Sequence, residues 1–288
     1  MVTDNPAVRR LLREALAEDI GSGDITSEAV IPEGLRAEAR LIAKETGVLA
    51  GVPVALALLE EIGPGIEPEV LVEDGTQVEP GLVVLRAVGP ALRLLQVERT
   101  LLNFVMRLSG IATMTRRYAE RLAGSKTVLL DTRKTTPGLR VLEKYAVRVG
   151  GGRNHRMGLY DGVLLKNNHI AVCGDIKEAI RRARERAPMP VKVEVEVRTM
   201  EEVRRAVEAG ADALLLDHMS REEMARVVDY CNWKVTTEAS GNLTPDDVAA
   251  AAEIGVDFVS VGALTRSAVW LDFSMSLAPR TEDPDGPA

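Results

Sequence analysis

Very little of this sequence is aromatic, and very little of it can cross-link. Only 3% of its 288 residues are Phe, Trp or Tyr, and only two are cysteine. Cys173 and Cys231 belong to no CxxC and no Cys/His cluster, which excludes a disulfide framework and a structural zinc site. No apolar run approaches the roughly 18 residues that a membrane helix needs. MVTDNPAVRRLLREALAEDI lacks the compact apolar core and small-residue cleavage site of a secretory signal; it reads as an amphipathic helix of a cytoplasmic protein. An excess of positive charge is missing as well. The formal net charge is −7, which argues against a general nucleic-acid binder. There is no strand-linked GxGxxG, no HExxH, no P-loop and no Ser/His/Asp pattern, so those chemistries have no support.

What is present is 46% hydrophobic residues, enough for a sizeable core in one large or two ordinary domains. The two halves read differently. Residues 1–125 open with a helix over 6–18 and a Gly/Asp/Ser-dense turn, EDIGSGDITS (18–27). Strand-like runs follow at 35–45, 69–78 and 82–88, with a helix near 47–62. From Pro90 to Leu122 the apolar spacing is helical, with a break expected at Ser109-Gly110. The second half repeats. Short apolar runs that end on a polar residue (TVLLDTRK, DGVLLKNNH, VKVEVEV, ADALLLD, WKVTTEAS, DFVSVGAL) come to alternate with helical stretches. Helix, glycine, aspartate, strand (EAGAD, EIGVD) is the connection of a repeated β/α unit. Six or seven such units in about 150 residues imply a parallel α/β barrel, with an open doubly wound sheet as the competitor. The tail, APRTEDPDGPA (278–288), is expected to fray.

Active sites of parallel α/β folds lie at the C-terminal strand ends. There this acidic chain concentrates cations. Residues 131–166 hold eight Lys/Arg (133, 134, 140, 144, 148, 153, 156, 166) against three acids (131, 143, 161). Such a knot suits a heavily anionic ligand, with Arg133 and Lys134 at a strand end as the prime candidates. Lys144 and Arg148 read instead as solvated helix-surface charges. GGGRNHRMG (150–158) adds His155 and Arg156 on a glycine-rich loop. Glu196 and Asp217 are strand-end acids suited to Mg²⁺ or sugar hydroxyls. ASGN (239–242) and VGALT (261–265) are small-residue turns of the kind that bind phosphate. His169 reads equally as cap, core or site. Asp131 reads as a local hydrogen-bond acceptor, and Cys173 and the methionines as packing.

Taken in order, EDIGSGDITS, GVLAG, ERTLLNF, DTRKTTPGLR, KYAVRVGGGRNHRMGL, LLKNNH, VEVEV, LLLDHM, EASGN and VGALT resemble the quinolinate phosphoribosyltransferases over nearly the whole chain. The resemblance implies an α/β sandwich domain over 1–115, with 269–288 a candidate to rejoin it, followed by an α/β barrel over 116–268. It implies quinolinate carboxylates on Arg133, His155, Arg156 and Lys166, with Thr132 adjacent and Arg99 supplied by the partner of a homodimer that could assemble further into a hexamer. It implies Lys134 on phosphoribosyl pyrophosphate, Glu196 and Asp217 at its ribose and Mg²⁺, and Ser240, Gly241 and Gly262 around its 5′-phosphate. Lys134, Lys166, Glu196 and Asp217 are the implied catalytic set. Three positions depart from the usual pattern: His218 for asparagine, Asn167 for an acid and Asn242 for glycine.

A pyridine nitrogen attacks the sugar with its own lone pair, so a missing nucleophile–base pair is no obstacle. The rivals are a relative acting on another pyridine or azaheterocyclic acid, a sugar-phosphate aldolase or isomerase with Lys134 or Lys166 as Schiff-base nucleophile, and a non-catalytic anion binder.

Overall fold

The computed structural model describes residues 2–232 and 234–280. The expected fraying beyond Arg280 and the strand start at Trp233 lie outside the described residues. Twelve strands occur among them: β1 (Arg36–Ala43), β2 (Gly47–Val48), β3 (Glu67–Val70), β4 (Gln77–Val78), β5 (Val83–Pro90), β6 (Val128–Leu130), β7 (Val163–Leu165), β8 (Val193–Val197), β9 (Ala213–Asp217), β10 (Thr236–Gly241), β11 (Phe258–Val261) and β12 (Phe273–Pro279). The chain divides into two compact units. One comprises Met1–Met114, Val141–Gly150 and the chain from Ala268; the other comprises Thr115–Arg140 and Gly151–Ser267.

The first unit is an antiparallel sheet in the order β12-β1-β5-β3, with helices and the small β2-β4 pair. Ala37, Ala39, Leu41 and Ala43 alternate along β1 and are all buried, the period-2 pattern of a sheet with one face on a core. The helix Pro6–Ile20 starts where Asn5 accepts from Ala7 N and proline takes the first turn. Its Val8, Leu12 and Leu16 recur every fourth residue and are buried.

Two expectations fail here. The helix Ala91–Glu120 runs unbroken through Ser109-Gly110. Gly110 is there for contact: a Cβ would lie 2.0 Å from Val269 O. Ser109 Oγ bonds Ala50 N and O at 3.0 and 3.1 Å, so its hydroxyl is spent on a neighbouring segment instead of breaking the helix. Lys144, read as a solvated surface charge, is 0% exposed, as is Glu143 beside it. Both belong to the buried face of the helix Arg140–Val149, where Arg107 Nη2 donates to Glu143 Oε1 at 2.7 Å.

The second unit is a six-stranded, wholly parallel sheet in the order β6-β11-β10-β9-β8-β7, the wall of an α/β barrel. Leu130 of β6 also bridges in parallel to Arg153, which lengthens the wall beyond β6. Val193, Val195 and Val197 of β8 are buried, so strand alternation sends Glu194 and Glu196 to the opposite side, the barrel interior. The outer helices begin on matching caps. Thr199 accepts from Glu202 N, while Ser220 with Glu223 and Thr244 with Asp247 form capping boxes. Each β/α turn is thereby fixed one step beyond a strand end, where the candidate residues stand.

Candidate active site

The two basic stretches that follow β6 and precede β7 are laced together. Asp131 is fully buried; its Oδ1 accepts from His155 N at 2.9 Å and its Oδ2 from Asn154 Nδ2 at 2.6 Å. Asp131 N donates to Arg153 O, and Arg153 N to Leu129 O. Arg140 adds a tie from below the loop, donating to Thr135 Oγ1 at 2.9 Å and to Met157 O at 3.1 Å. Arg140 is therefore committed to holding the loop.

This lacing sets Arg156 beside Arg133. Burial, and next the neighbouring Arg133 charge, depress the Arg156 guanidinium, while Glu194 and Asp161 oppose that shift. Arg156 Nη1 donates to Gly162 O at 2.9 Å, which fixes the fork. Two half-buried guanidinium groups held as neighbours make a place where an anion is favoured. Thr132 Oγ1 accepts from Lys134 N at 3.1 Å and turns the loop.

Lys166 follows β7 directly and places Nζ 3.5 Å from Glu196 Oε2. Arg198 spans the acids, 2.7 Å from Asp217 Oδ2 and 3.4 Å from Glu196 Oε1. His218 has the left-handed φ of +56°, a conformation that asparagine, aspartate and histidine adopt more readily than other side chains. Its Nδ1 would sit 3.3 Å from a Cβ on Gly241, and its Nε2 is 3.8 Å from Asp217 Oδ1. His169 is a cap: its Nδ1 accepts from Lys166 N at 2.9 Å.

At the ends of β10 and β11, Ser260 Oγ donates to Ser240 Oγ at 3.1 Å. Lys134 leans against Gly262, and its carbonyl accepts from Thr265 Oγ1 at 2.8 Å. Lys134, Gly241 and Gly262 line one cavity of about 370 Å³ together with Tyr118, Thr244 and Arg266. The second unit thus brings together Thr132, Arg133, Lys134, Arg156, Lys166, Glu196, Asp217, Ser240, Gly241 and Gly262 at the strand ends. Arg99 is exposed on the helix Ala91–Glu120, in the first unit.

His155 has protein partners at both ring nitrogens. Its Nδ1 accepts from Arg156 N at 2.7 Å, and its Nε2 lies 3.1 Å from Glu194 Oε2 and 3.5 Å from Glu238 Oε2. Sequence reasoning missed Glu238, Arg198, Tyr118 and Arg266. Glu238 was findable, because it stands two residues before Ser240 on the same side of a strand. Arg198, Tyr118 and Arg266 carry no local signal; each sits outside the motif that it joins.

Comparison with known proteins bears on this site. Two family models match the chain: quinolinate phosphoribosyl transferase, N-terminal domain, over residues 24–109, and its C-terminal domain over residues 111–276. A probable nicotinate-nucleotide pyrophosphorylase (carboxylating) of Bacillus subtilis is 42% identical over 275 residues, covering 96% of this chain and 95% of that one. A protein of the same name from Synechocystis is 44% identical over 271 residues, 92% of this chain and 91% of that one. Among solved structures, NadC from Streptococcus pyogenes superposes with a TM-score of 0.91 at 40% identity, covering 94% of this chain and 96% of that one.

Proposed function

The chain belongs to the quinolinate phosphoribosyl transferase family, and we propose that the barrel's cationic strand ends are where it carries out that family's reaction. The protein is an enzyme that transfers the phosphoribosyl group of phosphoribosyl pyrophosphate to quinolinate and releases pyrophosphate and CO₂, giving nicotinate mononucleotide for NAD biosynthesis. The observation that carries the substrate assignment is the forced neighbourhood of Arg133 and Arg156, which suits a dianion.

In this reading Arg133, Arg156 and Lys166 take the two ring carboxylates, with Thr132 beside them and Arg99 arriving from the partner of a homodimer. The ring nitrogen attacks C1 of the sugar with its lone pair, and the C1–O bond to pyrophosphate breaks. Lys134 meets the charge of the sugar donor, while Ser240, Gly241 and Gly262 surround its 5′-phosphate. The ribosylated ring nitrogen is cationic. It accepts the electron pair of the C2–carboxylate bond as CO₂ leaves, and C2 then takes up a proton. Glu196 and Asp217 face the electron-poor sugar. The protein's work is positioning and neutralisation.

Mg²⁺ enters this reading with phosphoribosyl pyrophosphate, whose phosphate charge it offsets when bound. Glu196 and Asp217 offer the hard oxygens it prefers, yet Arg198, Lys166 and His218 already face them. That donor set suits an ion which keeps water and substrate phosphates as its other ligands. No helix among the described residues is long and apolar enough to cross a membrane, and we place the enzyme in the cytoplasm.

The purified protein, incubated with quinolinate, phosphoribosyl pyrophosphate and Mg²⁺, should form nicotinate mononucleotide by mass spectrometry and none with nicotinate in place of quinolinate. Folded protein that turns over nicotinate or neither acid would overturn the substrate assignment.

A further inference from the structure

Strand alternation puts Glu238 of β10 and Glu194 of β8 on the interior side of the barrel, each two residues before a site residue. Glu238 is 3% exposed. Both carboxylates converge on His155 Nε2, at 3.1 Å from Glu194 and 3.5 Å from Glu238. Two acids and an imidazole in so small a space permit two arrangements: a metal site, or a hydrogen-bonded cluster.

The hydrogen bonds decide between them. His155 Nδ1 accepts from Arg156 N at 2.7 Å. A ring nitrogen that accepts carries no hydrogen, so in the neutral imidazole the hydrogen is on Nε2. Nε2–H has no lone pair for a metal; it donates to the carboxylates in front of it. Glu238 Oε1 is buried with no hydrogen-bond partner among the described residues. On a carboxylate, that oxygen would hold charge without solvation. As the carbonyl oxygen of a neutral acid it is far less costly to leave alone. Burial and the adjacent Glu194 carboxylate both hold the Glu238 acid in its protonated form, against the smaller opposite pull of His155 and the Ser260 hydroxyl. The Glu238 hydroxyl then donates to Glu194, and His155 Nε2–H donates to the same acid.

We propose that Glu238, Glu194 and His155 form a buried hydrogen-bonded brace that positions Arg156 for the dicarboxylate. The chain of contacts is continuous. Glu238 fixes Glu194, Glu194 fixes the imidazole, and Nδ1 receives the Arg156 backbone N–H while Asp131 holds the His155 backbone. The Glu194 charge also favours the protonated Arg156 guanidinium. His155 is accordingly a positioning residue whose ring nitrogens are both committed. The proposal rests on Arg156 as a quinolinate ligand.

Two measurements test it. In ¹⁵N spectra of the imidazoles at pH 7, assigned with His155→Asn, the His155 ring should be the Nε2–H tautomer. An Nδ1–H tautomer, or a stoichiometric transition metal in the purified enzyme by elemental analysis, overturns the brace. In steady-state kinetics Glu238→Ala should raise KM for quinolinate about 10-fold or more while KM for phosphoribosyl pyrophosphate stays within about 3-fold. Glu238→Gln, whose amide donates to Glu194 as the acid does, should remain within about 3-fold of wild type on both. A glutamine variant as damaged as the alanine variant, or an equal rise in both KM values, overturns it. If wild type fails to use quinolinate, the substrate reading falls, and the tautomer still decides the brace.

Discussion

Gly262 and Lys134 touch so closely that a side chain at Gly262 would have to displace the lysine. A Cβ on Gly262 would lie 2.7 Å from Lys134 Cδ and 3.4 Å from Nζ. Gly262 has φ −69°, a value any residue adopts, so a side chain there would be resisted by the lysine and not by the backbone. Gly262→Ala should push the lysine stem aside and move its ammonium. A shift of about 1 Å in a positioned charge can cost up to about 10²-fold. We expect kcat/KM for phosphoribosyl pyrophosphate to fall between about 10- and 100-fold with an unchanged circular dichroism spectrum. Activity near wild type would show that Lys134 has no fixed position to lose.

Arg133→Ala removes one of two guanidinium groups that repel each other across the site. Folding should be unharmed or slightly helped, because that repulsion is relieved. Turnover should suffer, since a charge-assisted, desolvated carboxylate contact is worth about 2–5 kcal/mol. We expect kcat/KM for quinolinate to drop at least about 30-fold while the melting temperature holds or rises. A fall in melting temperature without loss of activity would make Arg133 a structural residue.

Glu238 links the interior to pH. Its acid is pushed up to about 8, first by burial and then by the Glu194 carboxylate, from about 4.3 in an unfolded chain. Between those values the folded protein holds a proton that the unfolded chain has released, so stability falls as pH rises. The slope from this one group is at most about 1.4 kcal/mol per pH unit. Glu238→Gln removes the slope. Denaturant unfolding at pH 5.5, 6.5 and 7.5 should therefore show the variant gaining steadily on wild type. Parallel curves would mean that Glu238 is ionised in the folded protein.

Asp74 should matter for stability alone. Its Oδ2 accepts from Gly51 N at 2.9 Å and its Oδ1 from Val52 N at 3.0 Å, which caps the helix Val52–Glu61. Tyr145 also donates its hydroxyl to Asp74. Burial, and next that bond, hold the phenol well above its ordinary range. Asp74→Ala loses a cap and strands a half-buried hydroxyl. The expected cost is about 2–3 kcal/mol, read as a lower denaturation midpoint with the slope unchanged. A midpoint within error of wild type would remove Asp74 from the list of stabilising residues.

The repeated strand–helix units and the cations at one strand end were legible from the sequence, because both are local. VEVEV states its own alternation, and DTRK follows an apolar run. Family motifs in order were legible for the same reason. Other features depended on partners far along the chain. Ser109-Gly110 has the composition of a break, and only the contact of Gly110 with Val269 and of Ser109 with Ala50 makes it a close-packed point of a continuous helix. Lys144 has the spacing of a surface charge and is buried. His155 beside two arginines invites a substrate contact; tertiary structure turns its ring toward Glu194 and Glu238. Periodicity determines which face a residue takes on its own element. Which distant carboxylate waits on that face is decided only when the strands are laid side by side.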